Sequence, residues 1–357
     1  MATPDPHRAR QSLSPEVERA DRCDAAGAHG DAVTHLATAA RKHDVEAMTR
    51  LGKRLLVGDR APCLPKDAAG LIAEASKRGG AEAAAVLAVL YAVGASRGHD
   101  LKAALATLVT AADRGWPPAQ AQLRVLGTGA EDMDWQTVEA LDWRSAAQCI
   151  DTGAWQAAPP AVEVSDSPSV RSHLELASPS MCRWFIERAR GRLSRALVYE
   201  AISREVMAKP TRTNTAAAFN LADTDFVFVL AQLRMAACLK LPLRHFEAVT
   251  VLHYDEGEEI TDHYDFIDPN LPSYAEEIAQ QGERVVTFLV YLNDDYGHGE
   301  TAFPRLGIEH KGTRGEGMYF VNAVDGKADT RTLHAGRTPA GGEKWIISQF
   351  VRNRPLL

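Results

Sequence analysis

FEAVTVLHYDEGEEITDHYDF (246–266) is the stretch from which the fold of this chain is read. Its first nine residues follow Pro242, are rich in β-branched and aromatic side chains, and read as a strand. The stretch ends on His263, Tyr264, Asp265 and Phe266. In a strand, residues i and i+2 point to the same face, so His263 and Asp265 send an imidazole and a carboxylate toward one point. The same stretch carries a second H-Y-D, His253 to Asp255. Taken singly, either triplet reads equally as a surface or structural pair.

A metal would need a third donor. His334, in TLHAG (332–336), lies 69 residues after Asp265, at the end of a predicted strand. Two histidines and one carboxylate on one face of a metal leave its other positions open, which is the facial arrangement of non-haem iron(II) oxygenases. Lys344 follows ten residues after His334, at the head of another predicted strand. Buried, it would pair with a carboxylate as a point charge; exposed, it would be an ordinary lysine opening an edge strand.

Working outward, RVVTFLVYL (284–292), GMYFVNAV (317–324) and KWIISQFV (344–351) are further strands. Upstream, SPSMCRWFIERAR (178–190) and TDFVFVLAQLRMAACLKL (224–241) read as helices. Helices followed by many short strands predict an antiparallel sandwich or barrel backed by helices. Before them, QAAPPAVEVSDSPS (156–169) reads as a linker.

Between about 20 and 130 the chain is rich in alanine and leucine, with a helical period and an internal repeat. Ala47, Ala83 and Ala119 lie 36 apart, as do Leu51, Leu87 and Leu123, and Ala39, Ala75 and Ala111. Gly79 and Gly115 each follow an arginine, and His43 takes their place one repeat earlier. LGKRLLVG (51–58) and LAVLYAVG (87–94) are similar to the first helix of Sel1-like repeats, relatives of the tetratricopeptide family. AGLIAEASKRGG (69–80) and AALATLVTAADRGW (103–116) are similar to the second. Such repeats offer a concave surface for a protein partner, or here act as a helical buttress to the other half. The expected organisation is a flexible N-terminus (1–20), a repeat domain (21–130), a linker (131–170) and a catalytic domain (171–357).

The 357 residues are 45% hydrophobic and 24% charged, with a formal net charge of -7. That composition supports buried cores and weighs against a nucleic-acid binder. Cys23, Cys63, Cys149, Cys182 and Cys238 are odd in number and widely spaced, as expected of reduced thiols in a cytoplasm. Neither a signal peptide nor a membrane span is expected.

Four blocks resemble the prolyl 4-hydroxylase family of 2-oxoglutarate dioxygenases, over about 174–354. They are LHYDEGEEITDHYDF (252–266), RVVTFLVYLNDDYGHGETAFP (284–304), GEGMYFVNAVDGKADTRTLHAG (315–336) and GGEKWIISQFVR (341–352). RTNTAA (212–217) is similar to a segment ahead of that family's core. The resemblance implies a double-stranded β-helix, or jelly-roll, with supporting helices, behind an N-terminal α-helical repeat domain (α+β, multidomain). It implies iron(II) held by His263, Asp265 and His334, and 2-oxoglutarate held by Tyr254, Thr301 and Lys344. The family spacing makes Tyr254, and not His253, the functional member of the first H-Y-D. Arg284 and Phe350 are implied to contact substrate. His298 stands where the family has glycine, Thr332 where it has serine, and Phe350 where tryptophan is frequent.

The implied reaction uses O2, with ascorbate as a candidate reductant, and releases succinate and CO2 while hydroxylating an unactivated C–H. The expected substrate is a proline-like ring in a peptide, or a free amino acid such as proline or pipecolate. Two other classes compete: an inactive jelly-roll serving the repeats as an interaction module, and a cupin-type metalloenzyme of different chemistry.

Overall fold

The computed structural model describes residues 13–95, 98–127, 142–200, 205–207, 210–268, 270 and 272–356. Its contacts divide the chain into two compact units, Met1–Thr152 with Asn220–Val229, and Gly153–Phe219 with Leu230–Leu357.

The first unit is built of helices that pack as sequential antiparallel neighbours. Helices His29–Arg41, Pro65–Lys77 and Leu101–Asp113 start 36 residues apart, and so do Val45–Val57, Ala81–Val93 and Pro117–Gly127. The repeat seen in the sequence is therefore a repeat of helix starts. Its alanines let the helices approach: Ala47, Ala75, Ala83, Ala111 and Ala119 are fully buried. Leu51 and Leu123 are buried too, whereas Leu87 is only partly so. Between paired helices the backbone turns through the left-handed region at Gly79 and Gly115, and His43 adopts the same conformation with φ 63°. Glycine takes this conformation without a Cβ penalty, so His43 is the strained member of the set. Asp44 and Asp100 cap the helices that follow them, accepting from the N–H groups of Ala47 and Ala103.

The N-terminal expectation needs revision. A helix spans Pro15–Ala25 and buries Val17 and Ala20, inside the stretch read as flexible. Its proline sits at the first turn, where the missing N–H costs nothing. Of the expected linker, residues 131–141 lie outside the described residues.

The second unit is a jelly-roll sandwich. Its major sheet has eight antiparallel strands in the order Ala161–Ser165, Val170–His173, Gly317–Val321, Arg284–Tyr291, Lys344–Arg352, Val249–Tyr254, Thr215–Phe219 and Ser194–Arg195. The minor sheet runs Ile308–His310, Thr301–Phe303, His334–Gly336 and Ile260–His263. Leu252, Tyr254, Leu289, Tyr291, Met318, Phe320 and Ile346 from the major sheet meet Phe303 from the minor sheet in one core. Helix Pro179–Arg190 begins at a serine cap, Ser178 accepting from the Met181 N–H at 3.3 Å.

Two sequence expectations are corrected here. The stretch 156–169 is not simply a linker, because Ala161–Ser165 forms the outer strand of the major sheet against Val170–His173. Three of its five residues are exposed, so an edge strand needed none of the apolar alternation that marks the others. Lys344 opens a strand that lies between Arg284–Tyr291 and Val249–Tyr254, so the reading of an exposed edge lysine fails. The five cysteines are unpaired. Among the described residues, no helix is long and apolar enough to cross a membrane.

Candidate active site

Antiparallel pairing in the minor sheet makes His334 and His263 direct cross-strand partners. Their rings lie 4.2 Å apart. The i, i+2 argument holds only in part: the strand ends at His263, and Asp265 stands two residues beyond it. His334 likewise begins its strand, Ile-free and short, instead of ending one. The carboxylate nonetheless reaches both rings, with Oδ1 at 3.4 Å from His263 Nε2 and Oδ2 at 3.3 Å from His334 Nε2.

Each histidine is oriented by a backbone carbonyl two residues earlier. His263 Nδ1 lies 2.9 Å from the Thr261 oxygen, and His334 Nδ1 lies 2.9 Å from the Thr332 oxygen. A carbonyl oxygen only accepts, so both Nδ1 atoms carry a hydrogen, which leaves Nε2 as the nitrogen of each ring available to a metal. Thr332, which replaces the family serine, is fully buried and bonds the Asp329 carbonyl through its hydroxyl. Burial alone would raise the Asp265 carboxyl, but His334 and His263 outweigh it and hold it well below the usual carboxylate range. Burial tends to lower His334, yet Asp265 raises it above the ordinary histidine value. Two imidazole Nε2 atoms and a carboxylate on one face are a donor set that fits iron(II).

All eight residues singled out in the sequence line one pocket of about 640 Å³: Tyr254, His263, Asp265, Arg284, Thr301, His334, Lys344 and Phe350. Lys344 is fully buried and is the register partner of Tyr254. Its Nζ donates to the Gly299 carbonyl at 2.7 Å, and no carboxylate forms an ion pair with it among the described residues. Burial pulls its pKa down to about 8, against a smaller upward pull from Glu300. An ammonium buried at this cost fits a ligand carboxylate arriving in the pocket. Burial pushes the Tyr254 phenol up to about 12, so it remains a neutral donor.

Sequence reasoning missed two residues at this site. Tyr291 lies 2.9 Å from Thr301 through their hydroxyls, fixing the threonine side chain. It stands in the quoted Y-L-N block, and its period-2 alignment with Leu289 in an inward-facing strand was the available signal. Glu247 takes both arms of Arg284, at 2.7 and 2.9 Å. Phe350 lies 3.9 Å from the same guanidinium. Arg284 is therefore a paired cation lining the pocket.

The first H-Y-D behaves differently. His253 points to the other face of its strand, 4.2 Å from the Trp345 ring. With Asp255 and Glu343 it forms a second group of metal-type donors. Glu343 already pairs with Arg190 at 2.9 Å and with His253 at 2.9 Å, and Asp255 is 71% exposed. A neighbouring arginine on one carboxylate disfavours a cation there, so this cluster reads as ion pairing.

No family model matches the chain. Prolyl 4-hydroxylase 1 of Arabidopsis thaliana is 27% identical over 206 residues, which are 54% of this chain and 71% of that protein. Probable prolyl 4-hydroxylase 9 of the same plant is 27% identical over 200 residues, 50% of this chain and 66% of that one. Among solved structures, the viral collagen prolyl hydroxylase of Paramecium Bursaria Chlorella virus-1, in complex with 2OG, superposes with a TM-score of 0.40 and 26% identity, covering 51% of this chain and 95% of that one. A Sel1 repeat protein from Oxalobacter formigenes gives a TM-score of 0.27 and 20% identity, covering 35% of this chain and 52% of that one. The family of these relatives implies iron(II) and 2-oxoglutarate, and the His263, Asp265 and His334 cluster is a candidate metal site of matching donors. In sequence, the C-terminal half of this chain is that of a prolyl 4-hydroxylase-like 2-oxoglutarate/Fe(II) oxygenase domain.

Proposed function

We propose that this protein hydroxylates a proline-like ring, with His263, Asp265 and His334 as the iron ligands and Lys344, Tyr254 and Thr301 as the anchors of 2-oxoglutarate. The observation that carries this reading is the convergence of the three donors and a buried, unpaired ammonium in one pocket. When bound, iron(II) with 2-oxoglutarate and O2 supplies the oxidising power, and succinate and CO2 are released.

The chain's own residues supply placement. The Thr261 and Thr332 carbonyls keep both imidazoles turned toward the metal position. Lys344 and Tyr254 offer an N–H and an O–H to a carboxylate, and Tyr291 holds Thr301 ready as a third donor. Phe303 and Phe320 pack against His334 and exclude water from that side. The pocket is also lined by Tyr264, Tyr274 and Phe350, whose aromatic faces suit a saturated ring, and by Arg284.

The state of Arg284 favours a peptide over a free amino acid. Its charge is already balanced by Glu247, so it gains little from a substrate carboxylate but can still donate to a neutral amide. A free amino acid would have to place its carboxylate on Arg212, the other arginine lining the pocket. The test is succinate formed from 2-oxoglutarate under iron(II) and ascorbate, with proline peptides, free proline and pipecolate compared. Stimulation by the peptides above the others supports the reading. Stimulation by free proline alone would reverse the peptide preference, and no turnover with or without substrate would remove the enzymatic reading.

A further inference from the structure

The Asp265 carboxylate is held from behind by two residues that no ligand set includes. Thr287 lies on the central strand Arg284–Tyr291 of the major sheet and donates from Oγ1 to Asp265 Oδ2 at 2.7 Å. Asn322 donates from Nδ2 to that same Oγ1 at 2.8 Å. Both side chains are buried, Thr287 at 1% exposure and Asn322 at 0%.

Chemistry fixes the direction of these bonds. An ionised carboxylate only accepts, so the single hydroxyl proton of Thr287 is committed to Asp265. Thr287 can then meet Asn322 only as an acceptor, and Asn322 must present its N–H. That orientation leaves Asn322 Oδ1 buried with no partner. An unsatisfied buried carbonyl costs stability, and an apolar side chain of similar size would carry no such cost. The amide N–H is the feature that accounts for an asparagine here. The Asn322 backbone is itself fixed on both sides, its N–H donating to Val285 and its carbonyl accepting from Asp329.

We infer that Thr287 and Asn322 are positioning residues for the metal centre, engaging Asp265 Oδ2 so that Oδ1 is the oxygen presented to a divalent metal. The relay ties the one ligand that lies outside regular structure to a central strand of the major sheet. His263 and His334 need no such support, because each is held by a carbonyl of its own segment. With one oxygen engaged, the carboxylate is kept from chelating with both, which leaves more of the metal open to other ligands.

This inference rests on the proposed metal site, and the experiment separates the two. Cobalt(II) is titrated anaerobically into the full-length protein and followed by visible absorption, while the melting temperature of the metal-free protein is recorded. Wild type binds one equivalent. Thr287→Val keeps the shape but removes the hydroxyl, and weakens cobalt affinity by roughly 10- to 100-fold, the usual cost of losing a partner of a metal ligand. Thr287→Ser returns most of that affinity, and Asn322→Leu weakens it by roughly tenfold or less. Metal-free melting of Thr287→Val falls, because the buried Asn322 N–H loses its acceptor, while that of Thr287→Ser stays close to wild type. Equal cobalt affinity in wild type and Thr287→Val overturns the relay alone. A serine variant as weak as the valine variant also overturns it, since methyl packing would then be the cause. Failure of wild type to bind cobalt overturns the metal site and the relay together.

Discussion

At the residue scale, the site separates two H-Y-D triplets that look alike in sequence. His263 and His334 face Asp265 with Nε2, whereas His253 stacks on Trp345 and pairs with Glu343. Alanine at His263 or His334 should therefore abolish iron-dependent turnover, and His253→Ala should keep much of it; the reverse ranking in a succinate assay would move the site. Lys344 carries a second expectation. Removing the partner of a charge-assisted bond costs on the order of 1.5–3 kcal/mol. At about 1.4 kcal/mol per decade, Lys344→Ala should raise the KM for 2-oxoglutarate by roughly ten- to a hundredfold, and an unchanged KM would take Lys344 out of the pocket's chemistry. A third follows from its pKa, which burial holds at about 8. A carboxylate beside it favours the ammonium and raises that pKa. Above about pH 8 the bound protein then carries more protons than the free one, so binding takes up a proton and affinity falls as pH rises. Calorimetry near pH 8.5 in two buffers of different ionisation heat would measure the uptake; none would count against a buried, unpaired lysine.

At the scale of elements, the short strand Gly297–His298 and the turn after it shape the lysine's seat. His298 and Gly299 are consecutive left-handed residues, with φ 53° and 70°. His298 is exposed and its family counterpart is glycine, so this chain accepts backbone strain where a side chain has open space. Gly299 has no such room. A Cβ there would lie 2.8 Å from the Tyr296 ring and 3.5 Å from Lys344 Cδ, and its carbonyl is the acceptor of the lysine. Left-handed geometry costs a non-glycine residue about 1–2 kcal/mol. Gly299→Ala should lower the melting temperature by several degrees and raise the KM for 2-oxoglutarate, while His298→Gly should be neutral or stabilising. Equal melting temperatures for wild type and Gly299→Ala would show that the turn is looser than these distances imply.

At the scale of the whole molecule, the division of the chain is not a single cut. Residues 220–229 follow several strands of the jelly-roll unit in sequence but cluster with the helical unit. Phe226, Val227, Phe228 and Val229 are fully buried, and the Phe226 N–H donates to Gln122. A chain beginning at Gly153 keeps this apolar segment and loses the helices it belongs with. It should aggregate or melt at a lower temperature and lose activity on all substrates alike. A soluble, stable truncation that loses only a long protein substrate would instead make the repeats a substrate-binding surface.

Much of this molecule was written locally. The 36-residue phase of the alanines set the helix starts, because small residues at a fixed helical spacing define where helices approach. β-branched runs marked the central strands, and the residues singled out for chemistry all lie on one pocket. What the tertiary structure alone decided has a common cause, namely which distant segments meet. The cross-strand register of His263 with His334, the withdrawal of Lys344 from water and the capture of Arg284 by Glu247 depend on pairing between segments far apart in the chain. So does the strand Ala161–Ser165, whose exposed residues carry no pattern until Val170–His173 lies beside them. Local propensity is a property of a window of sequence; desolvation and register belong to the packed whole.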